Sequence, residues 1–300
     1  MAGLAGRAVN ASAARTLLAR AIDYAGLFPP AALSMRDAVR NYAAYLDSAD
    51  AWALGRFVVP VARLDEFGEA SRALSSASAT RWRLSALAGA RGADDWSAVE
   101  RFVERNAVVD ALELRVETAA DVGAALARLP KALDVFYELP VAEDPAQLVA
   151  AVARAGGKAK VRTGGVTADA FPRAEDLARF IVTCARCGVP FKATAGLHHP
   201  LRAMYRLTYD ADGPRGEMFG FLNVLLAAAF ARSGLGTTAV ARVLTERDRA
   251  AFRFSSGGVE WRDRPLSMDA LAATRASLAL SFGSCSFTEP IEELGALGLL

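Results

Sequence analysis

Residues 158–165, KAKVRTGG, and residues 191–200, FKATAGLHHP, decide the fold of this chain. Each reads as a short strand that runs into small, turn-forming residues. Alternation along the first puts Lys158, Lys160 and Arg162 on one face and Ala159, Val161 and Thr163 on the other. Along the second, Lys192, Thr194 and Gly196 oppose Phe191, Ala193 and Ala195. Such strands pack their apolar face outward and turn charge inward. Charge is not enclosed without a partner or a purpose. The strand ends therefore read as a site that handles an anion or a carbonyl group.

Working outward, strand-like runs recur at 21–27, 56–61, 82–87, 111–116, 133–139, 159–163, 190–195 and 219–223, with starts about 22 to 35 residues apart. Amphipathic, alanine-rich helical segments lie between them at 34–46, 64–74, 96–106, 119–129, 145–155 and 174–187. Asp95 or Ser97 is a candidate cap for one, and Gly188 stands where a C-cap is expected. Alternating strand and helix argues a parallel sheet, and eight repeats argue closure into a (β/α)8 TIM barrel. An open doubly wound sheet is the alternative, but no GxGxxG follows the first strand.

On this reading residues 1–250 form a single-domain barrel and 251–300 a C-terminal extension packed on it. The extension reads as a hairpin at 252–265 around Gly257-Gly258, a helix at 268–281 and an apolar tail. The connection 201–218 reads as a long loop over the barrel mouth, a lid with Gly213 and Gly216.

With 300 residues, 53% of them hydrophobic, the chain can bury a large core, and its net charge of +2 points to no nucleic-acid partner. No run of about 20 apolar residues suggests a membrane span. The N-terminus lacks a charged region followed by a continuous apolar stretch, so no signal peptide is expected. Three cysteines suit a reducing cytoplasm. Homo-oligomerisation is left open.

In a barrel, inward residues near the strand C-termini form the site. The fourth strand then offers Glu113, Arg115 and Glu117, the fifth Glu138, the sixth Lys160 and Arg162, the seventh Lys192 and Thr194, and the eighth Asn223. The first offers Asp23 or Tyr24, parity being undecided there. An internal salt-bridge layer plugging the barrel is the bland explanation. Because buried ion pairs bring little net stability, four consecutive charged strands favour chemistry: a lysine amine as nucleophile, with carboxylates to move protons.

Lys160-Val-Arg-Thr163-Gly164 resembles the sixth-strand signature of deoxyribose-phosphate aldolase and related class I aldolases. There a lysine, followed two positions later by a small polar residue and then Thr-Gly, forms a Schiff base. Lys192-Ala-Thr194-Ala-Gly196-Leu is similar to that family's seventh-strand signature, a lysine followed by Ala-Ser-Gly-Gly. The resemblance spans about fifteen residues. It implies Lys160 as the imine-forming lysine and Lys192 as a neighbouring cation that favours the neutral amine. Arg162 stands where the family has a small residue, and no Gly-Ser phosphate loop closes the eighth strand. The expected ligand is a small anionic carbonyl compound, with Thr163, Gly164, Thr194 and Gly196 as contact residues.

Adjacent His198 and His199 follow the seventh strand, at the barrel mouth. No cofactor is required, but with Glu113, Glu138 or Asp23 these histidines could hold a divalent metal for a metal-assisted lyase or hydrolase. One histidine as general acid or substrate contact is the other reading, and a loop or helix-capping role the plain one. The run from Asp23 to Pro30 ends the first strand as a substrate-contact loop or a rigid turn. Cys184 and Cys187 read as packing residues, and 283–286, GSCS, as a loop that reaches the barrel mouth. A third class of function, a non-catalytic anion-binding barrel, fits the same inward charges.

Overall fold

The computed structural model describes residues 13–74, 82–89, 93–106, 109–127 and 133–300; the N-terminal residues read above for a signal peptide lie outside them. Seven parallel strands follow the expected alternation: β1 (Ile22–Tyr24), β2 (Leu54–Pro60), β3 (Leu84–Leu87), β4 (Val109–Arg115), β5 (Asp134–Glu138), β6 (Lys158–Arg162) and β7 (Phe191–Thr194). Helices α1 (Met35–Leu46), α2 (Leu64–Arg72), α3 (Ala93–Asn106), α4 (Ala119–Leu126), α5 (Ala146–Arg154) and α6 (Ala174–Cys187) stand between them. The local causes are plain. Ser34 caps α1 by accepting from Asp37 N, and Met35, Ala38, Val39 and Tyr42 form its buried stripe. Thr118 and Asp121 make a capping box on α4. Gly188, in the left-handed region at φ 64°, ends α6. Asp95 and Ser97 lie inside α3, so neither is its cap.

After β7 the chain departs from the expected series. Residues 201–218 are not a structureless loop but contain an antiparallel hairpin, β8 (Ala203–Arg206) and β9 (Arg215–Met218). The run expected to be the eighth strand, 219–223, leads instead into a helix, α7 (Phe221–Arg232), buried on every side from Phe221 to Ala231. A second helix, α8 (Thr237–Thr245), leads to a three-stranded sheet, β10 (Phe252–Ser255), β11 (Gly258–Trp261) and β12 (Arg264–Ser267). The expected hairpin is there, with one strand more. Helix α9 (Met268–Ser277) precedes β13 (Ala279–Ser284), and α10 (Thr288–Ala296) follows.

β13 closes the barrel. The cyclic order is β1, β13, β7, β6, β5, β4, β3, β2, all neighbours parallel. The eighth strand therefore lies within 251–300, the segment read as a packed extension, and about 80 residues of hairpin, helices and small sheet intervene between β7 and β13. Outside the barrel, Phe221 stacks on Phe282 at 5.0 Å, seating α7 against the closing strand. Tyr42, Phe57, Phe67 and Trp82 form an aromatic cluster between α1, α2 and the sheet. Among the described residues no helix is long and apolar enough to cross a membrane.

Candidate functional site

The register sets the inward charges in two layers. The lower layer is at the strand N-termini, where Arg56 pairs with Asp110 and Asp134, Arg83 with Asp110, and Lys158 with Asp134. This is the structural plug considered above, and it claims Lys158. Buried Phe136 roofs it, with Arg56, Lys158 and Lys192 each within 6 Å of the ring centroid.

Above Phe136, Glu138 pairs with Lys160 across β5 and β6, and Lys160 with Lys192 across β6 and β7. Lys160 Nζ lies 2.7 Å from both Glu138 Oε2 and Glu113 Oε2. Lys192 Nζ lies 2.6 Å from both Glu113 Oε1 and Asp23 Oδ2. Ser85 donates to Glu113, and Ser281 and the Arg56 amide donate to Asp23. Five charges thus form one chain, Glu138–Lys160–Glu113–Lys192–Asp23, carried on five strands, with the two serines adding donors from β3 and β13. Parity on β1 is settled: Asp23 faces inward, while Tyr24 packs on Tyr42 and Phe57.

The electrostatics differ from two bare cations side by side. Glu113 stands between the lysines. Burial would push its carboxyl up, but Lys160 and Lys192 outweigh that and hold it well below the usual carboxylate range. Burial would likewise push Lys192 down, yet Asp23 and Glu113 raise it. Lys192 is therefore a fixed, fully buried cation whose charge is already answered.

A cavity of about 210 Å³ opens above this chain at the strand C-termini. Lys160 and Glu113 reach it from below, and Arg162, Thr194, Gly196 and His198 line it. Ala25, Phe28, Pro29 and Pro30 form an apolar wall, so the loop after β1 is part of the pocket. The Lys160 side chain is 4% exposed and the Lys192 side chain 0%; only the former can meet a ligand directly. Arg162 is exposed at the rim and makes no ion pair with a described residue.

Several expected contact residues lie elsewhere. Thr163 is fully buried, and its hydroxyl donates to the Ala195 and Thr194 carbonyls, stitching β6 to β7. Gly164 packs on Phe171, which also sits against Gly196, where an added Cβ would come within 2.8 Å of the ring. Both glycines make room for this aromatic wedge, and Gly196 also lines the cavity. Asn223 is on α7, where its amide accepts from Arg202 N and donates to the Val243 and Glu246 carbonyls. Arg115 is exposed and pairs with Glu117, 2.8 Å away, outside the cluster.

The two histidines diverge. His198 turns into the pocket, 3.2 Å from Ser284 Oγ and 3.6 Å from Cys285 Sγ, and burial with His199 nearby lowers its pKa to about 4. His199 faces α10, stacks on Tyr205 and contacts Glu293. Among the described residues neither forms a hydrogen bond or a ligand group with Asp23, Glu113 or Glu138. Cys285 and Gly283 also line the pocket, as does Val166. The run 283–286 thus reaches the barrel mouth as its sequence suggests, but from the end of a barrel strand, β13, whose small inward residues Ser281 and Gly283 carry little strand signal.

No protein-family model matches this chain, and no curated protein is similar to it.

Proposed function

We propose that this barrel is an enzyme that acts on a small anionic carbonyl compound through an imine on Lys160. The observation that carries the reading is the position of that amine: buried at the pocket floor, between two carboxylates at 2.7 Å, with Arg162, unpaired among the described residues, two residues on at the rim. Composition supports it. Four of the 35 basic residues are lysines, at 131, 158, 160 and 192. A chain that uses arginine nearly everywhere else keeps lysine beneath the pocket, and only lysine can shed its proton to act as a nucleophile.

The roles follow from the geometry. Glu113, held ionised by two lysines, orients both amines. Glu138, bonded to one lysine and with its side chain 13% exposed, is the proton acceptor. It takes a proton from the Lys160 ammonium, and the free amine adds to the carbonyl carbon. The nitrogen's next proton passes to the oxygen, Glu138 returns its own, and water leaves an iminium. That iminium accepts the electron pair of a breaking α–β carbon bond, the chemistry of an aldolase or lyase. Arg162 holds the substrate's anionic group. The resemblance of the β6 and β7 strand ends to class I aldolases points the same way. Three free cysteines suit a cytoplasmic setting.

Borohydride reduction in the presence of small oxo-acids and aldehydes, followed by mass spectrometry, tests this. The expected result is an adduct on the peptide holding Lys160 that is lost in Lys160→Met. No adduct with any carbonyl compound, or one that persists in that variant, refutes it; carboxylate binding without an adduct then leaves the non-catalytic anion-binding barrel.

A further inference from the structure

A second cavity of about 320 Å³ adjoins the first, sharing Pro30 and His198 with it. The β8–β9 hairpin forms one wall, placing the cross-strand partners Arg206 and Arg215 on it. His199 and Glu289 form part of the other. Glu289 and Glu293 stand one turn apart on α10, so their side chains share a face. One ligand-type atom from each of His199, Glu289 and Glu293 lies within 4.8 Å of the others.

Two features go beyond a chance cluster. Glu289 Oε2 is buried and has no hydrogen-bond partner among the described residues. A carboxylate oxygen left so costs about 1–3 kcal/mol or more. No described lysine or arginine pairs with Glu289; the groups it faces are His199, Glu292 and Glu293, with the Tyr209 hydroxyl beside it. In addition, the His199 ring is held in place by Tyr205, stacked at 3.6 Å and 13°.

We infer that His199, Glu289 and Glu293 bind a divalent cation at the wall of the second pocket. A nitrogen with two carboxylate oxygens suits zinc or manganese and leaves coordination positions for water or a ligand. Ligand atoms around a four-coordinate zinc stand ~3.3 Å apart; Glu293, its side chain 36% exposed, can draw back from its 2.6 Å contact with His199 Nδ1 while Glu289 closes on the pair. The cation meets the orphan oxygen, and Arg206 and Arg215 make the facing wall favourable to an anion. This site is independent of the imine: it uses none of Asp23, Glu113, Glu138, Lys160 or Lys192.

The test titrates chelator-treated full-length protein with manganese by electron paramagnetic resonance and with zinc by calorimetry. One metal per chain is expected. Binding should weaken in Glu289→Gln and in His199→Gln by more than the roughly 10–100-fold that losing a ligand's hydrogen-bond partner costs. Cys285→Ser should bind as wild type does, which separates this site from the nearby His198–Cys285 pair. Metal should also raise the melting temperature of the wild type and not that of Glu289→Gln. Absence of saturable binding to the wild type overturns the inference, as does unchanged affinity in Glu289→Gln. If Glu289→Gln does not fold, Glu293→Gln is read by the same criterion. No substrate enters, so failure here leaves the imine reading intact.

Discussion

Replacing Lys192 by Met tests whether the five-charge chain holds the barrel together. The Lys192 side chain is wholly buried and bridges Asp23 and Glu113 at 2.6 Å each. Met fills similar volume but supplies no charge. Asp23 keeps Ser281 and the Arg56 amide; Glu113 keeps Lys160 and Ser85. Removing one partner of a buried pair costs about 3–5 kcal/mol because an uncompensated charge stays behind. At about 2 °C per kcal/mol for a chain of this size, the melting temperature falls by roughly 6–10 °C.

The pH dependence carries the sharper signature. In the wild type Glu113 is held low, so its contribution is present above the unfolded value of about 4.5 and is lost as pH falls through the lower folded value. Lys192 is raised, so its contribution is present below about 10.5 and is lost as pH rises through the higher folded value. Neither contribution changes between pH 5 and 8. In the variant a buried carboxylate without its cation has a raised pKa. The folded state then binds more protons than the unfolded state, and stability recovers as pH falls. Urea unfolding at pH 5, 6.5 and 8 should show the largest gap from wild type at pH 8 and the smallest at pH 5. A gap under about 1 kcal/mol at pH 8, or one equal at all three values, refutes the reasoning.

Three further outcomes are expected. Arg162→Ala leaves stability within about 0.5 kcal/mol, the residue being exposed and unpaired among the described residues, but weakens calorimetric binding of small carboxylates; unchanged affinity would remove Arg162 from the pocket's function. Ala195 sits at φ 66°, a conformation that costs an L-residue about 1–2 kcal/mol. Ala195→Gly should therefore unfold no earlier than wild type and Ala195→Val clearly earlier, and the reverse order in thermal melts would contradict that strain. Cys187 is exposed, whereas burial raises the Cys285 thiol despite its contact with Tyr209. Alkylation at pH 7.5 should label Cys187 first and Cys285 increasingly as pH rises; mass spectrometry showing Cys285 labelled first would count against a neutral thiol in the pocket.

The first seven strands and six helices were legible because strand and helix faces alternate cleanly there. The Ala159, Val161 and Ala193 faces against Lys160 and Lys192 are the clearest case. The eighth strand was not. FLNVLLAAAFA is apolar on all sides, so it has no period to separate a buried strand from a buried helix, and only its length and alanine content favour the helix it forms. ALSFGS carries small polar residues inward, where Ser281 serves Asp23 and Gly283 leaves the pocket open, so its strand character depends on neighbours.

The same division runs through the site. Residue type and parity alone determined that Glu113, Glu138, Lys160 and Lys192 share the barrel interior, because a strand's side chains can face only two ways. Pairing was decided by tertiary structure. The strand register set Glu113 between two lysines 47 and 79 positions further along the chain, and so made Lys192 a neutralised cation and Lys160 the one amine of the pair to reach the pocket. It turned two adjacent histidines to different partners, His198 to Ser284 and His199 to Glu293, and brought Glu289, some 90 residues on, to His199 as well. Such contacts depend on how eight strands close, which no local spacing records.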